Sequence, residues 1–403
     1  MSERIIITKE ELYEQEYLVC ANYDYKRMTE IRLQKVEQES ILGNIYIGRV
    51  TNIVESLHAA FIEIEKGLVC FYSLEDLRSP IFTKKLGTKP ICVGDELVVE
   101  VKRENIKTKP PVVSTNLNFT GRYLVLTTEN HKLGISKKLS ATDRSRLQAF
   151  MTPYLSKEYG WIVRTNAVLA KEEEIFQELQ DLQDSYSKLI ETAKYRTCYS
   201  LLRKSTPSYF SFLNGMMLSN IEKITTDIPS IYEELQEYFQ GTEIESQNEL
   251  LFYEDPLVSL SAIYNLKQEL DRALNRQVWL PSGGYLIIEA TEALTVIDVN
   301  SGKDRKKRSR EETILSINIE AAIEIARQLI LRNISGICII DFIDMKEKKH
   351  QEKLLHILRM ELKKDKIPAT LVDMTRLGLV ELTRKKVQKS LKEQLQGEIP
   401  YEK

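Results

Sequence analysis

Along residues 44–116 apolar and polar positions alternate in short runs, IYIGRVTNIV, AAFIEIEKGLVCFYS and DELVVEVKRE, broken by Gly, Asn and charged turns. Runs of this length at this spacing predict a small closed barrel. Within 59–65 the alternation sets Ala60, Ile62 and Ile64 on one face and Phe61, Glu63 and Glu65 on the other, so Phe61 shares the polar face. Phe71 alternates with Val69 and fits either side. Residues 118–206 carry two β-like stretches, an amphipathic helical stretch ATDRSRLQAFMTPYL, the strand WIVRT and a long helix in KEEEIFQELQDLQDSYSKLIETA, whose acidic first turn suits its dipole. They form a second small α/β module. Residues 207–275 show one isolated strand-like piece and two helical patterns, which read as scaffold.

Past Gln277 the pattern changes. The apolar run Leu294–Ile297 ends in Asp298, Val299 and Asn300, and a second run, Gly336–Ile340, ends in Asp341. Between them Ile314, Ile317, Ala321, Ile325 and Leu329 recur at helical spacing, which predicts a helix of about six turns. The order strand, helix, strand is a βαβ unit. Continuous apolar strands predict burial on both faces, hence a parallel sheet with a right-handed crossover. Asp298 and Asp341 then emerge at the carboxyl ends of their strands, where open α/β sheets place their ligands.

Two converging carboxylates repel each other unless a cation neutralises them, and hard divalent ions prefer oxygen donors. Mg²⁺ is the natural occupant. Such an ion lowers the pKa of coordinated water and stabilises charge on a phosphoryl oxygen, as phosphodiester hydrolysis requires. Asn300, two residues on, lies on the same side of an extended chain and can orient Asp298; Asp344 is a further candidate around the ion. Either aspartate alone fits a turn or a helix cap; the two together on one βαβ unit favour the site. The segment GKDRKKRSR follows, and its Lys303, Arg305, Lys306, Lys307, Arg308 and Arg310 suit a polyanionic backbone better than an idle solvated loop. Phe61, as an exposed barrel aromatic, is a candidate base-stacking platform, with a partly covered core residue as the alternative.

Composition sharpens this picture. The chain of 403 residues, 42% hydrophobic and 29% charged, can build two or three cores. Its net charge of −2 argues by itself against a nucleic-acid partner. From Asp298 to Lys403, however, 23 Lys+Arg face 17 Asp+Glu, a local +6 that leaves −8 for residues 1–297. No apolar run approaches the ~20 residues of a membrane span, and the start of the chain lacks a signal-peptide core, so a cytoplasmic protein is expected. Cysteines 20, 70, 92, 198 and 338 stand singly and read as buried thiols; histidines 58, 131, 350 and 356 form no zinc-ligand spacing.

GNIYIGRV, AAFIEIEKGLVCFYSLEDL and VGDELVVEV resemble the S1-type oligonucleotide-binding (OB) barrel. LPSGGYLIIEATEALTVIDVNSGK, NIEAAIEIARQLILRNISGICIIDFIDM and RLGLVELTRKK extend the likeness over essentially the whole chain to the ribonuclease E/G family. The resemblance implies an α/β (α+β multidomain) chain. It comprises a ribonuclease-H-like scaffold (1–40 and 207–275), an inserted S1-type barrel (41–117), a 5′-sensor (118–206) and a DNase-I-like catalytic subdomain (276–403). It implies an endoribonuclease that cuts single-stranded A/U-rich RNA to 5′-phosphate and 3′-hydroxyl ends, in RNA processing and decay. Mg²⁺ is the implied cofactor, with Mn²⁺ as a substitute. Residue by residue, it places the metal ligands at Asp298 and Asp341, the orienting amide at Asn300 and a 5′-monophosphate pocket at Arg164, Thr165 and Val125. RNA contacts fall on Phe61, Phe71, Lys109, Lys137, Lys138 and Arg376.

Three departures matter. KTKPPVV has prolines where relatives commonly have Gly after the RNA-contacting lysine, which puts the loop around Lys109 in question; the basic segment with Lys303 and Arg305 is richer in charge than usual. No cysteine follows Cys338, so no zinc link between two chains is expected and a homodimer would need protein contacts; a scaffold tail is not expected either. The competing readings are an S1-type RNA-binding protein that does not cut, and a phosphodiesterase acting on DNA or a small nucleotide, which leaves the barrel idle.

Overall fold

The computed structural model describes residues 3–25, 27–37, 40–76, 80–105, 109–136, 139–216, 220–240, 249–302 and 310–395. The chain divides into two compact units, one of Met1–Glu37, Lys223–Glu234 and Leu250–Lys403, the other of Gln38–Glu222 and Leu235–Glu249.

In the second unit, strands Ile45–Val54, Ala59–Glu65, Leu68–Ser73, Val112–Ser114 and Glu96–Arg103 pair in that order. The first and last also pair with each other, which closes a five-stranded, OB-like barrel with no edge between them. Ala60, Ile62, Ile64, Cys70 and Tyr72 fill its interior. A four-stranded sheet follows, ordered Asn118–Thr120, Leu124–Thr127, Gly160–Val163, Leu133–Ile135. The long helix Glu172–Ala193 buries Ile175, Leu179, Leu182, Tyr186 and Leu189 at helical spacing. The shorter helix Ala141–Met151 forms where expected but buries only Leu147 and Met151, so it is weakly amphipathic.

The first unit holds two sheets. One is ordered Glu249–Phe252, Ile221–Thr226, Glu3–Leu12, Gln15–Asp24, Arg27–Lys35. Among the described residues the 207–275 stretch therefore supplies two strands rather than one, and four helices rather than two: Ser208–Asn214, Pro229–Phe239, Leu260–Ile263 and Leu266–Leu274. The other sheet is ordered Gln277–Trp279, Tyr285–Ala290, Leu294–Asn300, Gly336–Asp341, Leu379–Arg384, Ala369–Met374.

This last sheet contains the expected parallel βαβ pair but corrects the expectation of a parallel sheet buried on both faces. Only Leu294–Asn300 and Gly336–Asp341 run parallel, joined through the helix Arg310–Leu331, and antiparallel strands flank them on both sides. Ile297, Val299, Cys338 and Ile340 pack with Ile317, Ala321, Ile325, Leu329, Leu354 and Leu358 from that helix and from Lys348–Leu362. The opposite face is open, with Val296 36% and Ile337 49% exposed. β-branched residues suit a pleated surface whether or not it is covered, so their run does not count the buried faces.

Cys20, Cys70 and Cys338 are buried, whereas Cys92 and Cys198 are half-buried, a partial correction of the buried-thiol expectation. Burial pushes the Cys20 and Cys70 thiols up to about 12. No helix among the described residues is long and apolar enough to cross a membrane.

Candidate active site

Asp298 and Asp341 are directly opposed in the register of the parallel pair. Period two places both on the open face, because Ile297, Val299 and Ile340 point into the core. Asn300 Nδ2 donates to Asp298 Oδ2 at 2.8 Å, which fixes that carboxylate's orientation. Neither aspartate, nor Asp344, has an ion-pair partner among the described residues. Burial, then the charges of Asp298 and Asp344, hold the Asp341 carboxyl above its usual range. Two hard, negatively charged donors without a compensating cation fit a divalent ion such as Mg²⁺, which takes one or two carboxylates and fills its shell with water and phosphate oxygens. No cluster of three potential ligands forms a complete cage among the described residues, so the fit is to such an open site.

The chain around these residues is locked in place. Gly302 adopts φ +57°, and a Cβ there would lie 2.1 Å from the carbonyl oxygen of Gly283; one on Gly284 would lie 2.8 Å from that of Asn300. Only glycine lets the 281–284 turn close directly on the chain leaving Asn300. Beyond Asp341, the fully buried Asn318 donates Nδ2 to the Ile343 carbonyl at 2.8 Å and accepts from Ile343 N–H at 3.1 Å. Arg376 is exposed in the turn between Ala369–Met374 and Leu379–Arg384, and Leu379 sits opposite Asp341.

In the other unit Arg164 leaves the strand Gly160–Val163, its N–H donating to the Tyr123 carbonyl at 2.8 Å. Its guanidinium donates to the Asn214 carbonyl and has no carboxylate partner among the described residues. Burial pulls its pKa below the ordinary arginine value, the mark of a charge an anion would stabilise. Thr165 and Ser136 share a hydrogen bond of 3.1 Å, and half-buried Val125 pairs with Ile162 on the neighbouring strand. The turn that receives Arg164 is itself clamped. Tyr238 OH donates to Asn214 Oδ1 at 2.5 Å, and Asn166 Nδ2 to the Met216 carbonyl at 2.9 Å. The Arg122 guanidinium stacks 4.1 Å from the Tyr238 ring centroid.

On the barrel, Phe61 and Phe71 face each other in register, half-buried, with ring centroids 6.2 Å apart and planes at 87°. Cys70 and Tyr72 point inward, so Phe71 joins Phe61 outside. Lys109 is exposed; the Pro111 carbonyl accepts from Phe71 N–H at 2.8 Å, which ties the chain just after the lysine to the aromatic strand despite its prolines.

Comparison with known proteins gives this geometry a family. The model of the ribonuclease E/G family matches residues 118–387. Ribonuclease G of Haemophilus influenzae is 34% identical over 387 residues, covering 93% of this chain and 78% of its own. This chain belongs to the ribonuclease E/G family. Ribonuclease G of Escherichia coli is 33% identical with the same coverage, and ribonuclease E of Synechocystis sp. is 36% identical over 362 residues, 87% of this chain and 53% of that one.

Four of the candidates, Lys137 and Lys138 from the family likeness and Lys303 and Arg305 from the basic run, lie outside the described residues. Sequence reasoning missed Asn318, Asn214 and Tyr238 in this ribonuclease E/G chain. For Asn318 a signal existed, an amide within the apolar face of INIEAA. For Asn214 and Tyr238 none did, because their partners are remote in sequence.

Proposed function

We propose that this ribonuclease E/G-family endoribonuclease hydrolyses single-stranded A/U-rich RNA at Asp298 and Asp341, leaving 5′-phosphate and 3′-hydroxyl ends, and prefers substrates with a 5′-monophosphate. The observation that carries the reading is the register pair Asp298–Asp341 with the Asn300 amide on Asp298. The two carboxylates would hold Mg²⁺, for which Mn²⁺ would substitute, and Asn300 would keep Asp298 turned toward it. When bound, the ion supplies Lewis-acid stabilisation of charge at phosphorus and makes the attacking water more acidic. Arg376, in the turn beside the Asp341 row, would meet phosphate oxygens with a guanidinium fork. Phe61 and Phe71 would stack bases of the bound strand, with Lys109 on its backbone. Arg164 and Thr165 would take the terminal phosphate, and Val125 would line that pocket. In this reading 1–40 and 207–275 are the ribonuclease-H-like scaffold, 41–117 is the S1-type barrel, 118–206 is the sensor and 276–403 is DNase-I-like.

The test is a labelled A/U-rich RNA with a 5′-monophosphate, incubated in Mg²⁺ with the full chain. Cleavage is expected, abolished by EDTA and reduced at least about 10²-fold in Asp298→Asn and Asp341→Asn. Intact RNA leaves a protein that binds RNA without cutting, and full activity in both variants removes the chemistry from Asp298 and Asp341.

A further inference from the structure

The open face of the catalytic sheet carries a feature that neither metal nor sensor uses. Trp279, on the edge strand Gln277–Trp279, is 64% exposed. Its ring lies 5.3 Å, centroid to centroid, from that of half-buried Tyr285. Register places Trp279 opposite Tyr285 and Tyr285 opposite Asn300. The next row on the same face runs Gln277, Ile287, Asp298, Asp341, Leu379. Successive same-face rows along a strand are separated by about 7 Å, roughly the spacing of consecutive phosphates in an extended nucleic-acid strand.

We infer that Trp279 and Tyr285 form a stacking subsite for an unpaired nucleobase next to the phosphate that Asp298 and Asp341 address. The inference rests on the proposed nuclease site. A tryptophan is rarely left two-thirds exposed without use, and an aromatic pair one row from the reacting carboxylates offers a π surface to any base. Stacking tolerates all four bases and requires an unpaired one, so the subsite would select single-stranded substrate at the point of cutting. This selection would operate independently of the barrel's Phe61 and Phe71.

The chain contains two tryptophans, and the other, Trp161, is fully buried with its Nε1 donating to the Tyr154 carbonyl at 3.0 Å. Exposed tryptophan emission therefore reports Trp279. A 2′-O-methyl A/U-rich oligonucleotide added in Mg²⁺ is expected to quench that emission and to shield it from acrylamide, with neither effect in Trp279→Phe. In steady-state cleavage, Trp279→Ala is expected to raise KM about tenfold or more with little change in kcat, and Trp279→Phe to recover most of the loss. An abasic residue scanned along the substrate should impair the wild type at one position beside the scissile bond, and Trp279→Ala should be indifferent there. Unchanged emission with RNA bound by anisotropy, or wild-type KM in Trp279→Ala, overturns the subsite. So does a Trp279→Ala chain whose light-scattering mass falls while its KM stays put, since the ring then covers a second copy. Full activity in both aspartate variants instead removes the parent reading, whatever the fluorescence shows.

Discussion

Arg164 carries its charge into a largely buried setting, and its direction is set by a backbone carbonyl, that of Asn214. A guanidinium has five donors in a rigid fork, so one anchored N–H orients the rest toward an incoming anion. The Tyr238 hydroxyl holds that carbonyl's residue in place. Tyr238→Phe keeps the ring beside Arg122 and removes the hydroxyl with its hydrogen bonds to Asn214 and Arg122. It is expected to lower the ratio of kcat/KM for 5′-monophosphate over 5′-hydroxyl RNA by about three- to tenfold, the share that follows from loosening the Asn214 carbonyl. Arg164→Ala should erase the ratio, and adding Tyr238→Phe to it should change nothing more; an additive second loss would show that Tyr238 acts elsewhere. Residues of this kind could not be read from the sequence. Asn300 could be placed beside Asp298 because the relation is local, two positions along a strand. Asn318 meets Ile343 across 25 positions, and nothing short of the fold brings them together.

The helix Arg310–Leu331 and the two strands it joins were legible because each has a clear local period and length. Their surroundings were not. Which strands flank the parallel pair depends on hairpins before and after it, and a β-branched run looks the same beneath helices or facing solvent. The barrel was legible for the opposite reason. Alternation in Ala59–Glu65 separated Ala60, Ile62 and Ile64 from Phe61, and closure followed from many short strands. Phe71 needed the partner strand to settle its side. The two rings make a prediction at this level. Phe61→Ala and Phe71→Ala should each weaken binding of single-stranded RNA by about 1–3 kcal/mol, the worth of a stacked base. Both rings are half-buried on the outer face, so melting temperatures should fall little; fluorescence anisotropy and thermal denaturation of the same samples separate the effects. Full-strength binding in both variants would return the rings to a packing role.

At the scale of the whole chain, a net charge of −2 conceals a division into −8 before Asp298 and +6 from it onward. Electrostatic attraction to RNA should therefore be steepest around Asp298 and Asp341 and strongly dependent on ionic strength. Replacing Lys303, Arg305 and Lys307 together by Gln is expected to flatten the plot of log KM against log salt by up to about 2, some 0.7 for each lost phosphate contact to a single strand. An unchanged slope would place these side chains away from the substrate. Gly302, wedged against Gly283, gives this experiment a wider meaning. The chain is anchored just before residue 303 and is helical again from Arg310. The strand end that carries Asp298 and Asn300 is thus held on the Gly302 side, before the basic segment begins. Charge substitutions beyond Gly302 should therefore change how the enzyme responds to salt while the Asn300–Asp298 hydrogen bond, anchored upstream, stays in place.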